Sequence, residues 1–562
     1  MKQITGYPEA LGVTIREGVV NFAIQVPSNQ PCELLLYKKG EASPAWSFPM
    51  SKDLAIGEVR FIALADFEID DYEYTYKIGS KEVIDVYAKE LSPRLQLGDE
   101  MSVEKGLRAR IPSREFDWAG DKQLGIPQEE VIAYSLHMRG FTKHSSSKVK
   151  EKGQFSGLLE KIPYLKDLGI NQIHCMPLYE FIEKEGEKIN YWGYGKGYYF
   201  APKATYSQNK SPVRELKILV QALHKAGIEL ILEMPFVSGV LPQTALACLH
   251  YYMLEYHIDG FILNPAHLPF AMFTQDPLLK GVKLLQKDEE KQNALRRFLK
   301  GDEAMVEHMM QTLAFHDRDA GHYLYVTNQT GFTLRDLYSY DGKHNELNGE
   351  QNQDGPKYNY SWNCGAEGPS RRKDIKELRR QQVLNAYFLL LTAQGTPCLL
   401  AGDEFYNTQK GNNNVYCQDN DLAWLNWTPL TKDATLFDFL KGLISLRKSL
   451  SVLRQPSKLK GLDYTSSGFP DVSFHGKNAW QVPLEVASRQ LGILYYDKDR
   501  PCFIAYNMHW LDHEFALPTL PGKKKYYMLA DTKGGISSKP VQLEDQKHMV
   551  LKARTVVLLV GK

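Results

Sequence analysis

From about residue 130 the chain adopts a rhythm that few folds can satisfy, with short apolar runs alternating with segments of helical period. "VIAYSLHMRGF" reads as a strand, "SGLLEKIPYLKDLG" as a helix stopped by Gly169, and "INQIHCMPLYEF" as a strand again. "VRELKILVQALHKAG" is a second helix, with a glycine stop at Gly227. "IELILEMPF" is the next strand, "TALACLHYYMLEYH" a helix, and "IDGFILNPA" its strand. The rhythm runs on through "GVKLLQ", "HYLYVTNQTGF", the long helix "IKELRRQQVLNAYFLLLTAQG" and "TPCLLAGDEF". Strands each followed by a helix lie parallel, because right-handed crossovers return the chain to the same end of the sheet. Eight such units would close a (β/α)8 TIM barrel, and a span of roughly 320 residues suits one with insertions. Seven strands can be placed, and the sixth falls somewhere between about 288 and 320.

The flanks follow a different period. "GVVNFAIQVPS", "PCELLLYKKG", "GEVRFIALADF" and "YEYTYKIG" alternate with period two between Gly, Pro and Asp breaks, which predicts an antiparallel β-sandwich. After a helix over 434–450 the same patterning returns in "LGILYYDK", "RPCFIAYNMHW" and "ARTVVLLVG", predicting a C-terminal all-β domain. The expected architecture is multidomain α/β plus β: an N-terminal β-sandwich over 1–112, a barrel over 113–455 and a C-terminal β-sandwich domain over 456–562. A chain of 562 residues exceeds what one core serves, which agrees with three domains.

Charge excludes two partner classes. Lys+Arg is 68 and Asp+Glu 67, a net charge of +1 that gives no footing for nucleic acid or an anionic membrane. The longest apolar run, 386–393, is too short to span a bilayer. Met1-Lys2-Gln3 leads into polar turn residues, so no secretory leader is expected. Seven single cysteines without a CxxC pair predict free thiols in a reducing, cytoplasmic setting and no zinc site. No metal or cofactor is expected.

A barrel keeps its chemistry at the C-terminal ends of its strands. There "IDGFILNPA" places one amide, Asn264, at the mouth of a strand, a group able to hydrogen-bond but not to attack or transfer a proton. Around it, "SLHMRGFT", "NYWGYGKGYYFAP" (190–202), "GFTLRDLYSYDGKHNELNGEQNQDGPKYNYSWNCGAEGP" (331–369) and "QGTPCLLAGDEFYNTQKGNNNVYCQDNDLAWLNW" (394–427) closely resemble one group of proteins. This is the isoamylase, pullulanase and glycogen-debranching branch of the α-amylase superfamily of glycoside hydrolases. By that resemblance the N-terminal sandwich corresponds to a starch-binding-type module.

The resemblance implies retaining hydrolysis of α-glucosidic bonds by a nucleophilic carboxylate, an acid and a stabilising carboxylate, the first two about 5–5.5 Å apart. Position by position, those groups are replaced. The fourth-strand pattern Gly-Phe-Arg-Phe-Asp reads Gly260-Phe261-Ile262-Leu263-Asn264, with the nucleophile replaced by Asn264 and the arginine by Ile262. The acid position reads Lys287, and a one-residue slip would put Asp288 there as a substitute acid. Thr-Ala-His-Asp-Gly-Phe reads Thr327-Asn328-Gln329-Thr330-Gly331-Phe332, so the stabiliser is Thr330 and the sugar-gripping histidine is Gln329. Asp-Val-Val-Tyr-Asn-His reads Glu233-Met234-Pro235-Phe236-Val237-Ser238. A lysine in such a site would repel an oxocarbenium ion.

Trp192, Tyr194, Gln329 and Trp362 are the candidate sugar-contacting residues, and the two aromatics of 190–202 could equally pack their loop. Asp259 and the Asp403-Glu404 pair read as structural carboxylates, and "RRKDIKELRR" as a solvated helix start. The favoured reading is a debranching-type protein without hydrolytic activity that binds α-glucan (glycogen, amylopectin or maltooligosaccharide) or forms a hetero-oligomer with an active relative. An active debranching hydrolase with displaced residues, and a structural or regulatory protein without glucan binding, are the alternatives.

Overall fold

The computed structural model describes all residues except 28, 95, 113–114, 210, 316–319 and 465. The N-terminal unit is two antiparallel sheets built from strands between Lys2–Ile4 and Ala109–Arg110. Their inward faces share a core that includes Phe22, Leu34, Leu64 and Tyr74. The expected boundary at 112/113 abuts Ser113 and Arg114, which lie outside the described residues. At the other end of the chain a six-stranded antiparallel sheet runs from Val472–His475 to Thr555–Gly561. Among the described residues no helix is long and apolar enough to cross a membrane.

Between them lies the barrel. Its strands are β1 (Ala133–Leu136), β2 (Gln172–Cys175), β3 (Glu229–Met234), β4 (Gly260–Leu263), β5 (Lys283–Leu285) and β6 (Cys398–Leu400). All neighbours are parallel, in register Ala133↔Gln172, Gln172↔Glu229, Ile231↔Gly260 and Gly260↔Lys283, with Ala133↔Cys398 on the other side. Helices α1 (Phe155–Leu168), α2 (Pro212–Lys225) and α3 (Pro242–Tyr256) form where expected, α4 (Glu289–Lys300) and α5 (Val306–Ala314) form in the stretch where the sixth strand was sought, and α6 (Lys373–Thr392) and α7 (Thr435–Ser449) again form where expected. Gly169 ends α1 at φ 96°, where a side chain would be strained, and its N–H donates to Leu165 and Lys166 carbonyls.

The ring closes differently from the expected eight strands. Residues 321–326 complete it through two parallel bridges, Gln286↔His322 and Leu324↔Pro397. The Gln286 N–H donates to Gly321 at 2.9 Å and the Leu324 N–H to Thr396 at 2.8 Å. Seven segments therefore close the ring among the described residues, and no strand intervenes between β5 and 321–326. The connection between α4 and α5 is Gly301-Asp302-Glu303-Ala304-Met305, too polar and short of β-branched residues to form a buried strand. The chain turns there from one helix directly into the next.

The segment before β1 straps the closed end of the barrel. Asp259 accepts from His224 Nε2 (2.9 Å), from the Leu230 N–H (2.8 Å) and from the Leu124 N–H (3.0 Å), which fits the structural role expected for it.

Candidate functional site at the barrel mouth

Side chains alternate in and out along a strand, so β3 points Glu229, Ile231 and Glu233 the same way, and β5 with its extension points Lys283, Leu285 and Lys287. The two rows meet across the barrel interior. At the closed end Lys283 Nζ lies 2.5 Å from Glu229 Oε2, which also accepts from Gln172 Nε2 at 2.6 Å. Above that pair comes a buried apolar layer of Ile231, Ile262, Leu285, Tyr323, Tyr325 and Cys398. Ile262, at the arginine position of the resemblance, is part of this core.

At the mouth the ion pair repeats. Lys287 Nζ lies 2.5 Å from Glu233 Oε1, and the Tyr194 hydroxyl donates to the same oxygen at 2.8 Å. Lys287 also reaches Tyr194 Oη at 3.3 Å. Burial, then the Glu233 charge, push the Tyr194 phenol well above its ordinary range, so it stays a donor. Lys287, which the resemblance aligns with the acid position, thus carries a cation paired with the carboxylate of the third strand. Glu233 appears in the sequence only as one of several nearby carboxylates. The signal that finds its partner is the shared inward parity of 229/231/233 and 283/285/287.

Asn264 does not face this pair. It is exposed, and its Oδ1 accepts the Ala266 N–H at 3.0 Å, turning the chain out of the ring directly after β4. Thr330 is also held locally, its N–H and hydroxyl donating to Asn328 Oδ1 at 3.1 and 3.2 Å. Asp288, the substitute acid of the slipped alignment, caps α4 by accepting the Lys291 N–H at 3.0 Å, and pairs with the Lys291 ammonium at 3.2 Å. Burial alone would raise its carboxyl, but the Lys291 amide and ammonium outweigh that and hold it below the ordinary range. A general acid needs the opposite shift.

The sugar-contacting candidates separate. Trp192 is buried in a cluster with Met176, Tyr191, Val415, Leu422 and Ala423, so it packs its loop. Tyr194 stands at the mouth. Gln329 lines a cavity with His137 and Trp192 of about 20 Å³, room for a water and not for a sugar ring. Trp362 is elsewhere, between α6 and the C-terminal domain, under the Arg554 guanidinium at 4.8 Å. The Asp403-Glu404 pair is structural, as expected. Asp403 accepts from Thr327 (2.5 Å) and the Leu334 N–H (2.8 Å), and Glu404 accepts from the Tyr134 and Tyr164 hydroxyls, both at 2.5 Å. Burial pushes Asp403 up to about 8.

A sandwich, a parallel barrel and an all-β cap, in that order, define the class as a barrel protein of the glycoside-hydrolase type. Residues 138–237 match the family described as "Alpha amylase, catalytic domain". The glycogen operon protein GlgX homolog of Haemophilus influenzae is 30% identical over 500 residues, covering 68% of this chain and 76% of that protein. The chloroplastic isoamylase 1 of Arabidopsis thaliana is 28% identical over 666 residues, covering 92% and 83%. Pullulanase type I from Bacillus subtilis, solved with maltose, superposes with a TM-score of 0.75 at 18% identity, over 99% of this chain and 85% of that one. The chain belongs to the isoamylase/pullulanase branch of the α-amylase superfamily.

Proposed function

We propose that this is a non-hydrolytic α-glucan-binding protein of glycogen or starch metabolism. The observation that carries the reading is the Lys287–Glu233 ion pair. It occupies the mouth where a retaining glycosidase needs two carboxyls flanking the sugar, and it brings a positive charge to a place where an oxocarbenium-like transition state needs a negative one. The relatives are named as isoamylases and pullulanases, and one of them is solved with maltose, which supports glucan as the ligand.

The sugar belongs, on this reading, outside the plugged mouth. A groove of about 790 Å³ runs from the loop after β3, past Ser238 and Lys196, to Tyr87 and Val86 of the sandwich. It is of ligand size and contains both aromatic and polar groups. This favours glucan binding over a role only as a partner subunit of an active relative. We place the protein in the cytoplasm on its cysteines, all seven of which are free thiols.

The test pairs two assays on the purified chain. It should release no reducing ends from glycogen, amylopectin or pullulan above a mock preparation, and it should be retarded in native gels containing glycogen. Val86→Glu with Leu241→Glu changes two exposed residues lining the groove and should remove retardation while leaving Tm unchanged. Reproducible turnover would revive the hydrolase reading. No retardation of the unmodified chain would leave the partner-subunit or regulatory role.

A further inference from the structure

Trp362 lines a second cavity, of about 840 Å³, between α6 and the C-terminal domain, and this cavity shares no lining residue with the groove or the mouth. Its walls carry two indoles, Trp362 and Trp510, three cations, Arg380, Lys533 and Arg554, and one carboxylate, Glu377. The basic run that opens α6 is therefore only partly solvated face, since Arg380 borders a pocket.

The lining sets one carboxylate against three cations, of which Arg380 also hydrogen-bonds the Tyr406 hydroxyl and lies near Asp433. Arg554 lies over the Trp362 ring at 4.8 Å and donates to the Lys300 carbonyl at 2.6 Å. In the adjacent turn Asp302 pairs with Arg297 (3.3 Å) and Lys300 (3.1 Å) and its charge also acts on Arg554, while Glu303 pairs with Arg489 (2.9 Å). Glu377 faces Lys373 at 3.7 Å. Burial, with Arg489 nearby, holds the Arg554 guanidinium below its ordinary value, the condition in which an added anion is most favourable. Trp510 is 57% exposed at the rim, its indole stacked with the His509 ring at 4.1 Å and in contact with the Arg489 guanidinium at 4.8 Å. Indoles offer flat faces to a ring, and guanidinium forks match phosphate oxygens in pairs. The volume lies within the range of small-molecule sites, roughly 300–1,000 Å³.

We infer that this cavity binds a phosphate monoester carried on a sugar ring, the ring lying against the tryptophans and the phosphate between Arg554, Arg380 and Lys533. The inference stands apart from the proposed glucan groove, because neither site needs the other.

Calorimetric titration of the full chain with glucose 6-phosphate, glucose 1-phosphate, glucose and inorganic phosphate tests it. A hexose phosphate should bind saturably and at least about tenfold more tightly than either glucose or inorganic phosphate, since only it uses both halves of the site. Lys533→Glu and Trp510→Ala change exposed rim residues, so they should leave Tm unchanged and each weaken binding at least about tenfold. Arg554→Met should do the same but also loses the bond to Lys300, and Lys533→Glu decides the matter if that variant fails to fold. Displacement of the hexose phosphate by phosphorylated amylopectin, but not by the same polymer after phosphatase, would assign the phosphate to a glucan chain. Displacement by free hexose phosphates alone would assign it to a free sugar, and both outcomes support the site. No hexose phosphate binding at millimolar concentration, binding no tighter than inorganic phosphate, or binding unchanged in both rim variants would overturn it.

Discussion

Lys287 Nζ and Glu233 Oε1 stand 2.5 Å apart across the mouth of the barrel, while the exposed Asn264 bonds locally to the Ala266 N–H. Two strands that do not pair with each other are thereby linked, as they are again at the closed end by Lys283 and Glu229. The pair is partly screened from water, with side-chain exposures of 23% and 12%. Removing one partner strands the other.

Lys287→Met should therefore cost about 2 kcal/mol of stability, by urea unfolding, and Glu233→Leu a similar amount. The double variant should cost less than their sum by about 1 kcal/mol or more. Strict additivity would show that the pair is uncoupled in solution.

Restoring the expected carboxylates should not restore hydrolysis. In Asn264→Asp/Lys287→Glu/Thr330→Asp, residue 287 would set a second carboxylate against Glu233, where the ammonium now lies 2.5 Å from it. Ile262 would still withhold the arginine, and Ser238 and Gln329 the histidines. Two close carboxylates cannot both ionise freely, and an unsupported site loses its geometry. Family-like turnover of pullulan by the triple variant would show that the mouth remains competent.

Asp288→Ala should lower stability by about 1 kcal/mol, the usual cost of losing a helix N-cap, while Asp288→Asn should cost less. Neither should change glycogen retardation or reducing-end release. Any turnover in the unmodified chain that vanished in the Ala variant would return Asp288 to the active site.

His137 accepts the Gly140 N–H at Nδ1 (3.0 Å), so its Nε2 carries the proton toward the Tyr191 carbonyl (2.8 Å). Burial pushes its imidazole down to about 4 from an ordinary 6.5. The folded state resists a proton that the unfolded chain accepts below about 6.5. This contribution is full above that pH and is lost as pH falls from about 6.5 to about 4, on the order of 3 kcal/mol. Denaturant unfolding of His137→Gln should show a shallower acid slope, by up to one proton, over that window. An unchanged slope would mean that His137 titrates normally when folded.

Arg94 of the N-terminal segment pairs with Glu180 and, at 2.9 Å, with Glu183. Lys203 completes the buried set at 3.2 Å from Glu180 and 2.5 Å from Glu183. Arg94→Ala leaves two carboxylates to one ammonium and should cost about 3–5 kcal/mol. Removing residues 1–112 uncovers the same charges, so a truncated barrel should be less stable than its core alone would indicate. A truncation as stable as the full chain would contradict this.

The alternation of apolar runs with helices over 130–400 was enough to read a parallel barrel, because strand and helix periods are local properties of the chain. Gly169 and the structural role of Asp259 were legible for the same reason, whereas Ile262, Asn264, Lys287 and Thr330 were singled out only by the resemblance. That the described residues form no strand between β5 and 321–326 was visible only as an ambiguity between about 288 and 320. Whether that stretch forms a strand depends on 321–326 lying close enough to pair directly with the extension of β5.

The sequence by itself determined the order of sandwich, barrel and all-β unit, and the family. Only the tertiary structure decided which side chains meet at the mouth. The partner of Lys287 is Glu233, 54 residues away, Trp192 is core, and Trp362 belongs to a different pocket. A motif records which residue types stand at which spacing. Which of them meet depends on how far each strand and loop turns before they come together, and those distances are set only when the ring closes.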